Sequence, residues 1–352
     1  MVPSAPVSAD DFDPDAPARA DAGIYGLPHT PEQARVVLVP VPWDATTSYR
    51  PGTAGGPAAI LAASRQVDLF DLETGRPYEA GIALLEESSE VRAWNAEARR
   101  AAEPVIAAGG LLPGRPDLAR AVSHVDDLGA RLNEWVRAET QRWLEQGKLV
   151  GLVGGDHAAP FGAIEAVARR HPGLGVLHVD AHADLREAYE GFTWSHASIM
   201  FNVLERVPEV ARLVQVGIRD LGAAEHARIE ASAGRVVTHF DAVLKARRSE
   251  GETWAVQCAR IVQDLPGRVY LSFDIDGLDP ALCPHTGTPV PGGLSFEDAT
   301  YLIGAVVRAG RTIVGFDLNE VAPGPDGDEW DANVGARLLY KMIGWALRSS
   351  GG

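Results

Sequence analysis

The chain has 352 residues, 46% of them hydrophobic, which suffices for one large domain or two small ones with a sizeable core. Asp and Glu number 48 against 32 Lys and Arg, and the formal charge of −16 repels nucleic acid and anionic membrane surfaces while attracting small cations. Only Cys258 and Cys283 carry thiols, the N-terminus lacks a basic stretch followed by an apolar one, and no run approaches the roughly 20 apolar residues of a membrane span. A soluble cytoplasmic protein is therefore expected, with neither disulfide framework nor cysteine zinc cluster, so that His, Asp and Glu must hold any metal.

In chain order, residues 1 to about 34 are rich in Asp, Ala and Pro without apolar periodicity, which predicts a poorly ordered or surface-wrapped arm that carries no chemistry. A first strand is predicted over Val36–Val41. Residues 86–114 carry many charges and then an Ala-rich segment, which reads as a surface helix and loop inserted between core strands, over a site or an oligomer interface. Further strands are predicted over Leu149–Val153, Gly175–Val179, Leu213–Gly217, Val236–Thr238, Val269–Phe273 and Thr312–Phe316. Helical patterning occupies Leu118–Gln146, Phe161–Arg170, Trp254–Asp264 and Phe296–Ala309. Short apolar runs without polar alternation fit strands covered on both faces, and their alternation with helices predicts one three-layer αβα domain over residues 35–350 with a mainly parallel central sheet.

Open α/β sheets build their sites at the carboxyl ends of strands, and the acids fall there. The predicted strands lead into Gly154-Gly-Asp-His157, Asp180-Ala-His-Ala-Asp184, Asp274-Ile-Asp276 and Asp317-Leu-Asn-Glu320. In an extended chain alternate residues share a face, so Asp180, His182 and Asp184 are expected to point together, as are Asp274 and Asp276. Burying one unpaired carboxylate costs several kcal/mol, and a divalent cation removes that cost. Asp180, Asp184, Asp274 and Asp276 supply the charge that two divalent ions neutralise, with His157 and His182 adding nitrogen. Oxygen-dominated ligation suits Mn²⁺ better than Zn²⁺, with Ni²⁺ or Co²⁺ as substitutes. Two metals about 3.5–4 Å apart activate a water at neutral pH, which points to metal-assisted hydrolysis.

The set Gly-Gly-Asp-His (154–157), Asp-Ala-His-Ala-Asp (180–184), Ser-Phe-Asp-Ile-Asp-Gly-Leu-Asp-Pro (272–280), Thr-Gly-Thr-Pro (286–289) and Asn-Glu-Val-Ala-Pro (319–323) resembles the ureohydrolase superfamily of arginases, agmatinases, guanidino-acid hydrolases and formimidoylglutamases. The segment Ser48-Tyr-Arg-Pro-Gly-Thr-Ala-Gly-Gly-Pro57 resembles the family's N-terminal element, and the likeness spans roughly residues 35 to 348. It implies an arginase-like fold and a binuclear manganese site, with His157, Asp180, Asp184 and Asp274 on one ion and His182, Asp180, Asp274 and Asp276 on the other. It also implies that Glu320 receives the guanidinium, that Thr288 contacts substrate, that His196 shuttles protons and that Asp276 carries a proton to the leaving amine. The implied reaction releases urea and an amine, and the implied assembly is a homo-oligomer, a trimer or hexamer.

Other residues of these motifs carry plainer expectations. His178 sits deeper in the apolar run and reads as a satisfied core histidine, Asp156 as a residue that orients its neighbours, and Gly154 and Gly155 as a tight turn near the metals. Arg186 divides the substrate readings. Asp184-Leu-Arg-Glu-Ala-Tyr-Glu-Gly191 with Ser195-His196 resembles agmatinase-like sequences, which implies hydrolysis of agmatine to putrescine. An arginine turned toward the substrate would instead pair with a carboxylate and favour guanidinobutyrate or formimidoylglutamate. A non-catalytic metal- or ligand-binding homologue, and a single-zinc deacetylase on a related fold, are the readings of other classes.

Overall fold

A computed structural model describes residues 12–351. Eight parallel strands form one sheet: β1 (Val36–Val41), β2 (Ile82–Leu84), β3 (Leu149–Gly154), β4 (Leu174–Val179), β5 (Val210–Val216), β6 (Val236–His239), β7 (Arg268–Asp274) and β8 (Thr312–Asn319). Their spatial order is β2-β1-β3-β8-β7-β4-β5-β6. The ten α-helices are α1 (Gly56–Ser64), α2 (Ser89–Ala107), α3 (Pro116–Glu145), α4 (Phe161–Arg170), α5 (Ile199–Arg206), α6 (Ala223–Ala231), α7 (Asp241–Ser249), α8 (Trp254–Gln263), α9 (Phe296–Arg308) and α10 (Trp330–Ser349).

Strand alternation divides the core in two. Val36 and Leu38 of β1 face one cluster, with residues of α1 and α7 to α10, while Val37, Val39 and Val41 face another, with residues of α2 to α6. The three αβα layers expected from the sequence are therefore present. The short strand β2 was not anticipated, since three residues give no periodicity to read; it pairs with β1 from Val36↔Ile82 to Leu38↔Leu84.

The 86–114 segment departs from expectation, because α2 belongs to the core layer. Its buried stripe Val91, Trp94, Ala98, Ala102 and Val105 packs on α3, and the Ser88 hydroxyl caps it by accepting from Val91 N at 3.3 Å. Many exposed charges on the opposite face mask that stripe in the sequence.

In the N-terminal segment, residues 1–11 lie outside the described residues. Farther along, Ile24, Tyr25 and Leu27 are buried. The Tyr25 hydroxyl donates to Ala336 O of α10 at 3.0 Å, and its amide donates to Ser64 Oγ of α1 at 2.9 Å. Urea unfolding should show Tyr25→Phe losing about 1 kcal/mol for that hydrogen bond and Tyr25→Ala about 3–5 kcal/mol for the emptied volume. Equal stability of the alanine variant and wild type would show that this contact contributes nothing.

Candidate metal centre and substrate pocket

The four central strands β3, β8, β7 and β4 are neighbours, and their carboxyl ends deliver all the predicted site acids to one crevice. His157, His182, Asp184, Arg186, His196, Asp274, Thr288 and Glu320 line one cavity of about 450 Å³, with Tyr49, Arg50, Tyr189, Asp220 and Glu225 among the other lining residues. Asp180 and Asp276 are buried directly behind them, joined to the lining histidines.

The convergence has a different cause from the expected strand periodicity. β4 ends at Val179, and Asp180–Asp184 form a loop in which Asp184 adopts φ +53°. Asp276 lies in a 3-10 turn over Ile275–Gly277 that Asp274 caps, its Oδ1 accepting from Asp276 N at 2.8 Å. Glu320 leaves β8 at φ +63°. Non-glycine residues at positive φ cost of order 1–3 kcal/mol each and concentrate where a side chain must be aimed. Gly154 and Gly155 serve close chain packing, because a Cβ would overlap Asn319 Oδ1 or the Trp43 carbonyl.

Asp180 is central. Its Oδ2 lies 2.9 Å from His157 Nδ1 and 2.8 Å from His178 Nε2, and its Oδ1 lies 3.5 Å from His182 Nδ1. His157 Nδ1 is also 3.3 Å from Asp274 Oδ2 and 3.4 Å from Asp184 Oδ2, while His182 Nδ1 is 3.1 Å from Asp276 Oδ2. Two groups have ligand atoms close enough to share an ion: His157, His178, Asp180 and Asp184, and Asp180, His182 and Asp276. Asp180 belongs to both.

Electrostatics shows what this crowding lacks. Burial and the Asp180 charge push Asp184 well above the usual carboxylate range, and burial with Asp276 and Asp180 does the same to Asp274. Burial also raises Asp180, but its histidine partners outweigh that and hold it well below. Burial would lower His157 and His182, yet the surrounding carboxylates hold both well above their ordinary value. Among the described residues no Lys or Arg forms an ion pair with any of the four aspartates. Carboxylates and imidazoles aimed at one another with only protons between them are a donor set that fits divalent cations.

Glu320 sits at the floor, 4% exposed, with Oε1 accepting from His157 N at 3.0 Å and Oε2 accepting nothing. Burial, Asp274 and Asp156 raise its pKa well above normal. Thr288 donates to Asp276 Oδ2 at 3.4 Å. His196 packs edge-on against Tyr189 at 5.9 Å, and burial with the charges of His182 and His157 lowers its pKa to about 4, so it is neutral at pH 7. Burial and the nearby Asp44 raise the Asp156 pKa to about 8; its carboxylate accepts from Ala158 N and Thr47.

Arg186 turns toward Glu225, its Nε 3.5 Å from Glu225 Oε2, and its guanidinium lies over the Tyr189 ring at 5.0 Å. Glu225, 4% exposed, is fixed by Leu185 N at 3.0 Å and Gly222 N at 2.7 Å. Asp220 is exposed at the pocket wall, and its carboxylate has no hydrogen bond or ion pair among the described residues.

Several site residues escaped sequence reading. His178 is buried with both nitrogens partnered, as expected of a core histidine, yet one partner is Asp180, so it belongs to the site. Arg219 was also missed. It donates to the carbonyls of Gly217, Asp276, Leu278 and Val290, joining the loop after β5 to the Asp276 turn and the substrate-side loop. The one signal was an arginine directly after the apolar run of β5.

Comparison with known proteins agrees with this geometry. The Arginase family model matches residues 34–344. The chain is 35% identical over 323 residues to the N(1)-aminopropylagmatine ureohydrolase of Thermus thermophilus, covering 91% of this chain and 94% of that one. It is 31% identical to the agmatinase of Bacillus anthracis, covering 89% and 93%. Among solved structures, the proclavaminate amidino hydrolase of Streptomyces clavuligerus superposes with a TM-score of 0.70 at 25% identity, covering 95% of this chain and all of that one. The chain belongs to the arginase family.

Proposed function

We propose that this protein is a binuclear manganese amidinohydrolase that cleaves agmatine, or an agmatine extended on nitrogen, into urea and an amine; for agmatine the amine is putrescine. The observation that carries this reading is the buried, unpartnered Oε2 of Glu320, facing the same cavity as the His and Asp cluster. A planar guanidinium supplies the N–H donors that this oxygen lacks, and its charge offsets the unfavourable ionisation of Glu320.

His157, Asp180, Asp184 and Asp274 would hold one ion, and His182, Asp180, Asp274 and Asp276 the other. The metal pair supplies a water activated at neutral pH. Glu320 orients the guanidinium carbon toward that water. Asp276, held by Ala181 N at 3.0 Å and by Thr288, would take up a proton that the attacking water gives up and deliver it to the departing amine nitrogen as its bond to the guanidinium carbon breaks. His196, which lines the cavity against Tyr189, would relay protons between the site and solvent.

The posture of Arg186 supports a cationic tail. Its charge faces a buried carboxylate, whereas Asp220 is uncompensated at the wall, so a terminal ammonium finds a partner there and a carboxylate does not. Arg50, the other cation lining the cavity, turns onto the Pro284 carbonyl at 3.3 Å. The substrate for which the Thermus relative is named extends the same tail by an aminopropyl group, which keeps a second amine in reach of this wall. Cytoplasmic placement and a homo-oligomeric state complete the proposal; no helix among the described residues is long and apolar enough to cross a membrane.

Assays with Mn²⁺ that read urea from the guanidino compounds and formamide from formimidoylglutamate should show agmatine or aminopropylagmatine turned over at least about tenfold better, in kcat/KM, than guanidinobutyrate, arginine or formimidoylglutamate. Guanidinobutyrate as the best substrate would sink the tail assignment. Neither urea nor formamide from any of them at full metal occupancy would leave a non-catalytic homologue. Glu320→Gln should keep the metals and lose about a hundredfold or more in kcat/KM. Glu225→Gln releases Arg186 into the cavity and should narrow the preference for amines over guanidinobutyrate; an unchanged ratio would remove the pair from specificity.

Chelation gives a further test. In the metal-free protein the raised pKa values of Asp184 and Asp274 let the native state bind more protons than the unfolded state above their ordinary value of 3.8, so stability falls as pH rises. His157 and His182, also raised, contribute stability that is complete below 6.5 and lost as pH climbs through their folded values. Asp180, held low, has completed its contribution by about pH 5. Mn²⁺ replaces those protons and at about 100 times its Kd adds about 2.7 kcal/mol. The Tm gap between Mn²⁺-loaded and chelated protein should therefore widen from about pH 5 to about pH 8, and a gap independent of pH would exclude this cluster as the metal site.

A further inference from the structure

One row of polar residues crosses the sheet from β6 to β8. Thr238 of β6 is in register with Gln215 of β5, Gln215 with His178 of β4, His178 with Ser272 of β7, and Ser272 with Asp317 of β8. Register partners in parallel strands share a face, and this is the face toward α2 to α6. Gln215, His178, Ser272 and Asp317 are fully buried, where an unsatisfied polar group costs about 1–3 kcal/mol. The row divides into two hydrogen-bonded branches, each of which ends on a group of the metal cluster.

The first branch has a determined direction. The Thr238 hydroxyl donates to Gln215 Oε1 at 2.9 Å, while Gln215 Nε2 donates to the Ala183 carbonyl at 2.7 Å. A carbonyl only accepts, so the amide nitrogen must face Ala183. The same nitrogen lies 3.0 Å from His178 Nδ1 and donates to it. His178 therefore carries its proton on Nε2, which donates to Asp180 Oδ2 at 2.8 Å.

In the second branch Asp317 Oδ1 accepts from Ser272 Oγ at 2.9 Å and from Asn319 Nδ2 at 2.6 Å. A serine hydroxyl has one hydrogen, and here it is committed to Asp317. Ser272 Oγ must then accept from His157 Nε2, 2.9 Å away. The lone pair left for coordination on His157 is that of Nδ1, the nitrogen that faces Asp180, Asp184 and Asp274.

We propose that Gln215, acting through His178, and Asp317, acting through Ser272, are positioning residues for the metal centre: they leave His157 Nδ1 as the metal donor and make His178 a hydrogen-bond donor to Asp180 instead of a ligand. His178 stands within ligand distance of the first metal group, and only the direction of its hydrogen bonds removes it. Orienting partners of this kind typically change metal affinity by about 10–100-fold. The inference rests on the metal-site reading above.

Isosteric variants test it by calorimetric titration with Mn²⁺. In Asp317→Leu, similar in shape, the oxygen that accepts from Ser272 is lost, so the Ser272 hydroxyl is freed to turn its proton onto His157 Nε2 and the tautomer is no longer held. In Gln215→Glu the donor to His178 Nδ1 is lost. Each should retain the metal-free Tm of wild type within a few degrees and bind Mn²⁺ about tenfold to a hundredfold more weakly. Thr238→Ser, which keeps the hydroxyl, should bind as wild type. Wild-type Mn²⁺ affinity in either isosteric variant overturns the proposal. Should a variant fail to fold, nitrogen-15 NMR of the wild-type histidines, loaded with diamagnetic Zn²⁺, decides: protons on Nε2 of both His157 and His178 are expected, and a proton on His178 Nδ1 overturns it. A wild-type protein that binds no divalent ion defeats the metal-site reading, while the same NMR on metal-free protein still decides the tautomer of His178.

Discussion

Everything at this site follows from placing four aspartates and a glutamate, all nearly inaccessible to water, within one crevice where, among the described residues, no lysine or arginine forms an ion pair with them. Their mutual repulsion and desolvation must be met by protons, by cations or by cationic substrate. The structure distributes those solutions in space. Asp180, Asp184, Asp274 and Asp276 surround imidazole nitrogens and suit metal ions, whereas Glu320, which lines the cavity, keeps one oxygen unpartnered and suits a guanidinium.

The sheet order makes this crowding achievable. The contributing strands come from two separate stretches of the chain, β3 with β4 and β7 with β8, yet lie side by side at the centre of the sheet, where neighbouring strands and two helical layers hold each strand end. A rigid floor of this kind tolerates backbone strain at Asp184 and Glu320 and keeps side chains aimed that would otherwise swing apart. The outer wall is built differently. Arg186, Tyr189 and Asp220 come from loops, so the chemistry and the recognition of the tail rest on separate parts of the chain.

Much of this was readable before any coordinates, for physical reasons. Strands covered on both faces appear as unbroken runs of Val, Ile and Leu, and helices such as Phe161–Arg170 as a 3.6-residue pattern. The acids that follow those runs identify the crevice, because carboxylates have few other reasons to cluster after buried strands. Expecting strand alternation to align Asp180, His182 and Asp184 was mistaken in cause: the chain has already left the sheet, and turn geometry gathers them. The polar row was invisible for a different reason. Gln215, Ser272 and Asp317 are lone polar residues in separate apolar runs, and nothing in a linear chain gives the register that unites them. The direction of Arg186 was hidden likewise, because it depends on Glu225 some forty residues later, fixed by two backbone amides.

Arg219 gives the architecture a mechanical character. One guanidinium that bonds to four backbone carbonyls ties the Asp276 turn, the start of the loop after β5 and the segment around Val290 into a single stiff body. Backbone carbonyls are the same whatever side chains the loops carry, so the tie is indifferent to their sequence. Lengthening or recolouring the 186–192 and 48–50 segments on the far wall can therefore retune which tail is accepted while the reacting end keeps its alignment. A scaffold joined in this way is suited to diversify its substrates by loop exchange without rebuilding its chemistry.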